Sequence, residues 1–365
     1  MERWLEDASA PDGVGDPGRV HEEGRRARMA VESARETVAA FLGTGSARVV
    51  FTSSATEAAN AAVFGAASVR PGGPLLCAGV EHSCVRESCE RTGRLVEIPV
   101  ASTGSLRLDV LAELLTGDRP ALVNCQLANH EVGVLQPLTE VVALCRQAGV
   151  PVHCDAAAAM GHVRISFDDL GVDAMSVSAH KLGGPPGVGA LVVRRGLRLA
   201  PLLVGGSEER ARRAGAENVL GIVGFAAACA ALEGNAMARE AAAATGHTTR
   251  LSAMATAVPG VEILGRGAAR LPHIVCVVVA GVLGEAVLLS LDRAGVAAHS
   301  GSACSSEVLE PSPVLAAMGA DPDSSLRLSV GWSTTKDDVE AFGAAFPEAV
   351  AKLRALQQLD GRPTR

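Results

Sequence analysis

The segment AMSVSAHKLGGPPGVGALVVR, residues 174–194, joins two short apolar runs through a turn rich in glycine and proline. The runs at 174–178 and 190–194 have the length of buried strands, and the turn between them excludes a continuous helix. Lys181 lies just after the first predicted strand. A single lysine is usually a solvated surface charge, but this position also suits a lysine held in a cavity. Desolvation there would lower its pKa and make the amine nucleophilic, so the local pattern favours neither interpretation.

Upstream of this segment, strand patterns alternate with helical patterns. Such alternation predicts βαβ units, and therefore a mainly parallel sheet covered by helices. The predicted strands are 48–52, 74–78, 94–99, 121–126 and 152–155, and the predicted helices are 22–42, 55–67, 83–92, 109–115 and 138–147.

Downstream, an alanine-rich helical region over 218–254 has a predicted break near Glu233 and Gly234. It separates an expected large domain over 14–235 from a smaller α+β domain over 236–365, and residues 1–13 are expected to be a remnant of the small domain. The remaining elements are predicted as strands at 273–280 and 326–330, a helix at 284–294, a loop at 299–306 and a terminal helix from 336.

The composition narrows the class of protein. Apolar residues make up 48% of the chain and aromatic residues 2%, so the core is built from alanine, valine and leucine, which suits a parallel sheet. The sequence contains no apolar run of about 18 residues and no signal pattern. The net charge is −7, and basic residues are not interleaved with aromatic ones. We therefore expect a cytoplasmic protein that binds neither membrane nor nucleic acid. Nine cysteines, an odd number, argue against a disulfide framework, and most of them lie in apolar runs.

Two further features lie where predicted strands end. Asp155 ends the strand 152–155, at an edge where parallel sheets present ligands. A carboxylate there can pair with the pyridinium nitrogen of pyridoxal phosphate (PLP), although taken alone it is more often a helix cap. Residues 52–57, TSSATE, lie between a strand and a helix and could bind a phosphate. Taken alone, an N-cap with a capping box is the favoured interpretation.

The order of short motifs resembles the NifS/IscS branch of the cysteine desulfurases, within the class V aminotransferase-like PLP enzymes of fold type I. The resemblance covers nearly the whole chain and implies a seven-stranded, mainly parallel sheet in the large domain. The motifs are F-T-S-x-A-T-E (51–57), E-H-x-x-V (81–85), A-N-x-E-V-G (128–133), D-A (155–156), S-x-H-K (178–181), S-G-S-A-C (300–304), L-E-P-S (309–312) and R-L-S-x-G (327–331).

The resemblance implies a cofactor site for PLP. Lys181 would bind the cofactor covalently, Asp155 would pair with its ring nitrogen, and His82 would stack on the ring and handle protons. The phosphate would be held by Ala55 through its backbone, Thr56, Ser178 and His180.

It also implies a substrate site for L-cysteine. Arg327 would clamp the substrate carboxylate through a bidentate pair, next to Asn129 and His130. Cys304 would attack the substrate sulfur and carry it as a persulfide to an acceptor protein, where it could also ligate an iron–sulfur cluster transiently. A homodimer is implied, with Arg213 and its neighbours reaching the partner's cofactor.

Departures from the family pattern concern the cofactor pocket. His130 replaces the second Asn of A-N-N-E, and Ala158 replaces the Gln of D-A-T-Q. We hypothesise that the imidazole of His130 substitutes for that missing donor. Ala216 replaces the Thr of R-x-G-T, which removes a hydrogen bond worth about 0.5–1.5 kcal/mol. The opening strand of the family is missing, so we expect either a start further upstream or a divergent small domain.

Two alternatives to a desulfurase stay open. A selenocysteine lyase or another class V lyase would work without Cys304. A degenerate sulfur-relay scaffold would explain the lost donors, but it does not explain why Lys181, Asp155, His82, Cys304 and Arg327 are all present. The identity of the sulfur acceptor is not encoded in any of these motifs.

Overall fold

The structure is a computed structural model and describes residues 15–300 and 311–359. The expectations for Cys304 and for the first thirteen residues therefore fall outside the described residues. The chain divides into two compact units. The first comprises Met1–Ile98, Leu108–Leu127 and Pro137–Met237, and the second comprises Pro99–Arg107, Ala128–Gln136 and Ala238–Arg365.

The first unit alternates strands and helices along the chain. Its strands are β1 Val49–Thr52, β2 Leu75–Ala78, β3 Leu95–Ile98, β4 Leu122–Asn124, β5 Val152–Asp155, β6 Ala174–Ser178 and β7 Gly189–Val193. Its helices are α1 Glu22–Phe41, α2 Ala55–Val69, α3 Ser83–Arg91, α4 Leu108–Leu114, α5 Leu138–Ala148, α6 Phe167–Leu170, α7 Glu208–Ala211 and α8 Val219–Ala231.

The seven strands form one sheet in the order β1-β7-β6-β5-β4-β2-β3. Strand β7 is antiparallel to both of its neighbours, and the other pairs are parallel. The carboxyl ends of β1, β2, β4, β5 and β6 therefore lie at one edge of the sheet. This arrangement confirms the fold class that the sequence predicts.

Small side chains let helix α2 pack closely on this sheet. Ala58 and Ala62 are fully buried against Val50, Ala174 and Leu191. Alanine at this spacing presents a narrow apolar face, so the helix axis can approach the strands closely. The chain's alanine-rich composition thus suits this layered core.

The second unit contains a three-stranded antiparallel sheet. Its elements are α9 Ala236–Thr256, β8 Val261–Ile263, β9 Ile274–Val279, α10 Gly284–Arg293, α11 Pro313–Ala317, β10 Ser325–Ser329 and α12 Lys336–Leu359, and the strand order is β10-β9-β8. Val277 and Leu326 pack with Phe342 and Phe346, whose rings stack 4.9 Å apart. This core uses two of the chain's seven phenylalanines.

The predicted break in the alanine-rich region is confirmed, since α8 ends at Ala231 and α9 begins at Ala236. The short elements α6, α7, α11 and β8 were not predicted, because three to five residues are too few to show a helical or strand period. Among the described residues, no single helix has the length and apolarity that a membrane crossing requires, although α8 and α9 meet both criteria as a bent pair.

Candidate functional site

The ends of β1 and β6 meet at the start of β7. Thr52 and Ser178 both lie opposite Gly189 in the strand register. A Cβ atom at Gly189 would lie 2.6 Å from the carbonyl carbon of Ser54 and 2.6 Å from the carbonyl oxygen of Val177. Only glycine permits this approach. The first turn of α2 is therefore held against the strand that leads to Lys181.

The first turn of α2 keeps backbone donors available for a ligand. Ser54 is the N-cap, and its Oγ accepts a hydrogen bond from the backbone N–H of Glu57 at 3.2 Å. The Glu57 carboxylate in turn accepts from the N–H of Ser53 at 2.8 Å. This confirms the predicted cap. The N–H groups of Ala55 and Thr56 have no intrahelical partner, and no described residue accepts from them. Together with the helix dipole, they can bind an anion.

Lys181 lies in a single 3₁₀ turn, Ala179–Leu182, that ends at Gly183 with φ +82°. The Lys181 side chain is exposed within this chain, so the described residues of the chain alone do not enclose it in a cavity. Its neighbours on the C-terminal side are largely glycines, which have no side chains to cover it. Beside it, Ser178 Oγ and His180 Nδ1 are 2.8 Å apart, and desolvation and the Lys181 charge lower the pKa of His180.

His162 adjoins this turn and was missed by sequence reasoning. Its ring is hydrogen-bonded to the backbone of Lys181, while burial is the largest effect and lowers its pKa. The histidine therefore favours its neutral form. The sequence signal for it was weak, because His162 stands several residues beyond Asp155 without a recognisable spacing.

Asp155 ends β5 and is buried, with 8% of its surface exposed. Its Oδ1 accepts a hydrogen bond from the N–H of Ala157 at 2.9 Å, whereas no described residue donates to Oδ2. One oxygen thus fixes the carboxylate, and the other is available to a donor at the carboxyl edge of the sheet.

A buried histidine supports the strand that carries Asp155. His153 Nδ1 is 3.0 Å from Asn124 Oδ1, and its Nε2 is 3.1 Å from Ser176 Oγ. Because the Asn124 amide nitrogen donates to the Leu76 carbonyl, its oxygen must accept, which assigns the His153 proton to Nδ1. Burial lowers the pKa of His153 to about 4. Neutral His153 therefore links β4, β5 and β6.

His82 is the N-cap of α3. Its Nδ1 accepts a hydrogen bond from the N–H of Cys84 at 3.1 Å, so the neutral ring carries its proton on Nε2. The preceding loop is fixed by Gln126, whose N–H donates to Glu81 and whose Nε2 donates to the Val80 carbonyl, both at 2.5 Å. The histidine that is predicted to stack on the cofactor ring thus has a defined tautomer, and hydrogen bonds fix the loop that precedes it.

Two ion pairs tie the segment after β7 to α1 and to the start of α2. Arg213 binds both oxygens of Glu57, with Nε at 2.8 Å and Nη2 at 3.3 Å. Upstream of it, Glu209 forms a bidentate pair with Arg35 at 2.6 and 2.8 Å, and both side chains are almost fully buried. In this chain Arg213 is therefore bound beside its own α2 N-terminus.

In the second unit, residues 128–136 carry Asn129 and His130. Asn129 Oδ1 accepts hydrogen bonds from the N–H groups of Glu131 and Val132, both at 2.8 Å, which shapes the turn. Arg327 on β10 donates through Nη1 to the His130 carbonyl at 3.2 Å. Its Nε is buried and has no hydrogen-bond partner among the described residues. These predicted substrate residues therefore cluster within one unit.

Most of the chemistry-bearing residues predicted from the sequence thus fall into two groups. The first unit brings Ala55, Thr56, Ser178, His180, Lys181, Asp155 and His82 to the carboxyl edge of its sheet, and the second gathers Asn129, His130 and Arg327. Of the cysteines in the described residues, all but Cys84 are buried, as predicted for those in apolar runs. The described residues contain no cluster of three or more His, Cys, Asp or Glu suited to a metal ion.

Comparison with known proteins gives one consistent family. The aminotransferase class-V family matches residues 13–342. A cysteine desulfurase of Enterobacter agglomerans is 37% identical over 354 residues, covering 94% of this chain and 88% of that protein. A cysteine desulfurase of a Nostoc species is 40% identical over the same coverage. A NifS-like protein of Rickettsia africae has a similar structure, with a TM-score of 0.85, 29% identity and 92% of each chain covered. The chain therefore belongs to the aminotransferase class-V family and, within it, to the cysteine desulfurases.

Proposed function

We propose that this protein is a PLP-dependent cysteine desulfurase that converts L-cysteine to L-alanine and carries the sulfur as a persulfide on Cys304. The observation that carries the proposal is the meeting of β1 and β6 at Gly189, which brings the α2 N-terminus beside Ser178 and the Lys181 turn. An anion-binding helix end, a lysine and a strand-end carboxylate on one sheet edge are the donor set that PLP requires.

The residues present fit PLP. The phosphate would be bound by the N–H groups of Ala55 and Thr56 and by the side chains of Ser178 and His180. The missing side chain of Gly189 lets the backbone at the start of α2 approach the strands at this point. Asp155 Oδ2, which accepts no bond from the described residues, would accept the proton of the ring nitrogen. His82, with its proton on Nε2, would lie on the ring face.

Bound PLP supplies an electron sink that stabilises negative charge developing on the substrate. Lys181 would hold the cofactor and move protons with its amine. Asp155, fixed by the Ala157 N–H, would keep the ring nitrogen protonated. His162 would orient the Lys181 turn through its hydrogen bond to the backbone.

Arg327 would bind the substrate carboxylate. Its buried Nε lacks a partner among the described residues while Nη1 is anchored to the His130 carbonyl, so the fork is oriented and a donor is left for a ligand. Cys304 would attack the substrate sulfur as a thiolate: the S–S bond forms, the C–S bond breaks, and the electron pair stays on the substrate carbon. Protonation of that carbon yields alanine.

Three of the other cysteines are poorly suited to this role. Burial raises the pKa of Cys145, Cys229 and Cys276 to about 12, so their thiolates are scarce at neutral pH. A protein acceptor would then take the sulfur from Cys304, and we expect the active form to be a homodimer, as the resemblance implies.

The test uses the purified chain loaded with PLP. Adding L-cysteine should change the absorbance of the cofactor and release alanine in equal amount to transferred sulfur. Cys304→Ala should retain the absorbance change. Its rate of alanine formation should fall at least 100-fold, because covalent catalysis depends on the nucleophile. Cys84→Ala, which removes a half-buried cysteine, is the matched control and should behave as the unmodified chain.

Two outcomes would overturn the proposal. A chain that takes up no PLP and stays colourless would be a scaffold. Full alanine formation by Cys304→Ala would instead indicate a lyase that acts without a persulfide.

Light scattering should give about twice the 37.1 kDa of one chain if the dimer forms.

A further inference from the structure

A buried carboxylate in the second unit has no role in the reaction described above. The Glu131 side chain is 3% exposed. Its Oε2 accepts a hydrogen bond from Ser312 Oγ at 2.6 Å, and its Oε1 lies 3.5 Å from His130 Nε2. Residues 131 and 312 are far apart in sequence, so this contact fixes the position of one segment against the other.

Ser312 is the N-cap of α11. Its Oγ accepts a hydrogen bond from the N–H of Leu315 at 3.1 Å while donating its own proton to Glu131. The carboxylate thereby orients the hydroxyl so that its lone pair faces the helix. A hydrogen bond to a charged acceptor is roughly twice as strong as a neutral one, and here it is shielded from water. Glu131 thus holds the beginning of α11.

The same cluster holds the chain on the other side of residues 301–310. The N–H of Arg327 donates to the His299 carbonyl at 2.7 Å, and the His299 N–H donates back at 3.2 Å. Arg327 Nη1 binds the His130 carbonyl. His299, before residues 301–310, is therefore paired with Arg327, and Ser312, after them, is paired with Glu131.

We infer that Glu131 is a positioning residue that anchors the chain immediately after the Cys304-bearing residues to the substrate-binding residues His130 and Arg327. The anchor itself follows from the contacts of Glu131 and Ser312. Its consequence for catalysis rests on the proposed function, because only a desulfurase needs Cys304 aligned with a substrate held by Arg327. Losing the anchor should slow sulfur transfer without weakening substrate binding.

The first experiment measures hydrogen exchange of the α11 amides in the full-length holoenzyme. Glu131→Gln keeps the volume but removes the charge, and α11 should exchange about tenfold faster as the charge-assisted bond weakens. Ser312→Ala should show the same effect, and Ser312→Thr, which keeps a hydroxyl, should restore slow exchange. Ser166→Ala removes an equivalent cap from α6 in the first unit and should leave α11 unchanged. Unchanged α11 exchange in Glu131→Gln would overturn the inference.

The second experiment separates positioning from binding. In Glu131→Gln, kcat for alanine formation should fall about tenfold while KM for L-cysteine changes less than twofold. The double variant Glu131→Gln/Ser312→Ala should be no worse than the poorer single variant, because both changes break one link. A raised KM with unchanged kcat, or fully additive losses, would overturn the inference. If the unmodified chain makes no alanine, the proposed function fails, and the exchange experiment still decides the anchor.

Discussion

The two units hold distant parts of their chains together by different chemistry. In the first, Arg35 and Glu209 form a bidentate ion pair whose side chains are only 5% and 3% exposed. Arg35 also lies over the Phe51 ring at 4.7 Å, and Glu209 accepts the Phe51 N–H at 2.9 Å. In the second, apart from the hydrogen bond between Ser312 and Glu131, two links end on carbonyl oxygens. Thr248 donates to the Pro272 carbonyl, and Arg270 donates to those of Val132 and Leu264.

The difference reflects what each link has to hold. Glu209, Arg210 and Ala211 all have left-handed backbone angles, with φ between +46° and +59°. Each such residue costs about 1–2 kcal/mol when it is not glycine. The ion pair offsets this strain and leads the chain to Arg213 beside the α2 N-terminus. In the second unit, Thr248 and Arg270 join backbone segments whose described residues carry no such strain, so hydrogen bonds to carbonyl oxygens suffice.

The largest effect is therefore expected at Glu209. Glu209→Ala leaves Arg35 buried without its carboxylate, which should lower the free energy of unfolding by about 3–5 kcal/mol. Glu32 also contacts Arg35, at 3.3 Å, but its side chain is 44% exposed. Glu32→Ala is the matched control, and its cost should stay below about 1 kcal/mol. Urea unfolding curves of the two variants measure both values. Equal losses would show that burial of the pair does not matter.

The next largest effect concerns the close approach at Gly189. A methyl group there would meet the backbone of Ser54 and Val177 at 2.6 Å, and backbone atoms cannot move aside as a flexible side chain can. Gly189→Ala should lower stability by about 3 kcal/mol and weaken PLP binding, because α2 must shift from the sheet. Gly45→Ala, where no atom lies within 4 Å, is the control. Denaturant midpoints and PLP titration report the two effects, and normal PLP affinity in Gly189→Ala would contradict the assigned phosphate site.

The sequence predicts this sheet edge well because the ends of the strands and their mainly parallel direction follow from local patterns. Thr52, Asp155 and Ser178 each end a predicted strand, and parallel strands bring their carboxyl ends to one edge. The break between α8 and α9 is equally local, since Glu233 and Gly234 interrupt an alanine-rich run. Such features need no knowledge of distant contacts.

Other parts of the site depend on pairs far apart in sequence. Glu209 and Arg35 are separated by 174 positions, and Glu131 and Ser312 by 181. Each residue alone reads as a solvated charge or a helix cap, so nothing local predicts the pairing. The exposure of Lys181 could not be predicted from the sequence either, because a pattern of glycines shows where the chain turns but not what covers it.

His153 gives a pH test within the first unit, where its neutral form links three strands. Its pKa is about 4 in the folded chain against an ordinary 6.5. The unfolded chain therefore binds the proton first, so stability is full above pH 6.5 and falls as the pH drops towards 4. Between pH 7.5 and pH 5 the loss from this group should be about 2 kcal/mol. Urea unfolding at both pH values measures it. His153→Gln should lose this part of the pH dependence, and an unchanged slope would contradict a buried neutral His153.

The smallest expected effect lies in the second unit and sharpens the contrast with Glu209. Thr248 is buried, and its Oγ1 lies 2.9 Å from the Pro272 carbonyl oxygen and 3.0 Å from that of Ala244, so its one proton can tie α9 to the residues before β9. Thr248→Val keeps the shape and removes this neutral hydrogen bond, so stability should fall by about 1 kcal/mol. Thr245→Val, which removes an exposed hydroxyl bonded only to its own helix, should cost less. If Thr248→Val were as costly as Glu209→Ala in urea unfolding, neutral links in the second unit would hold the chain as strongly as the buried ion pair. The strain at residues 209–211 would then not explain why the first unit uses charge.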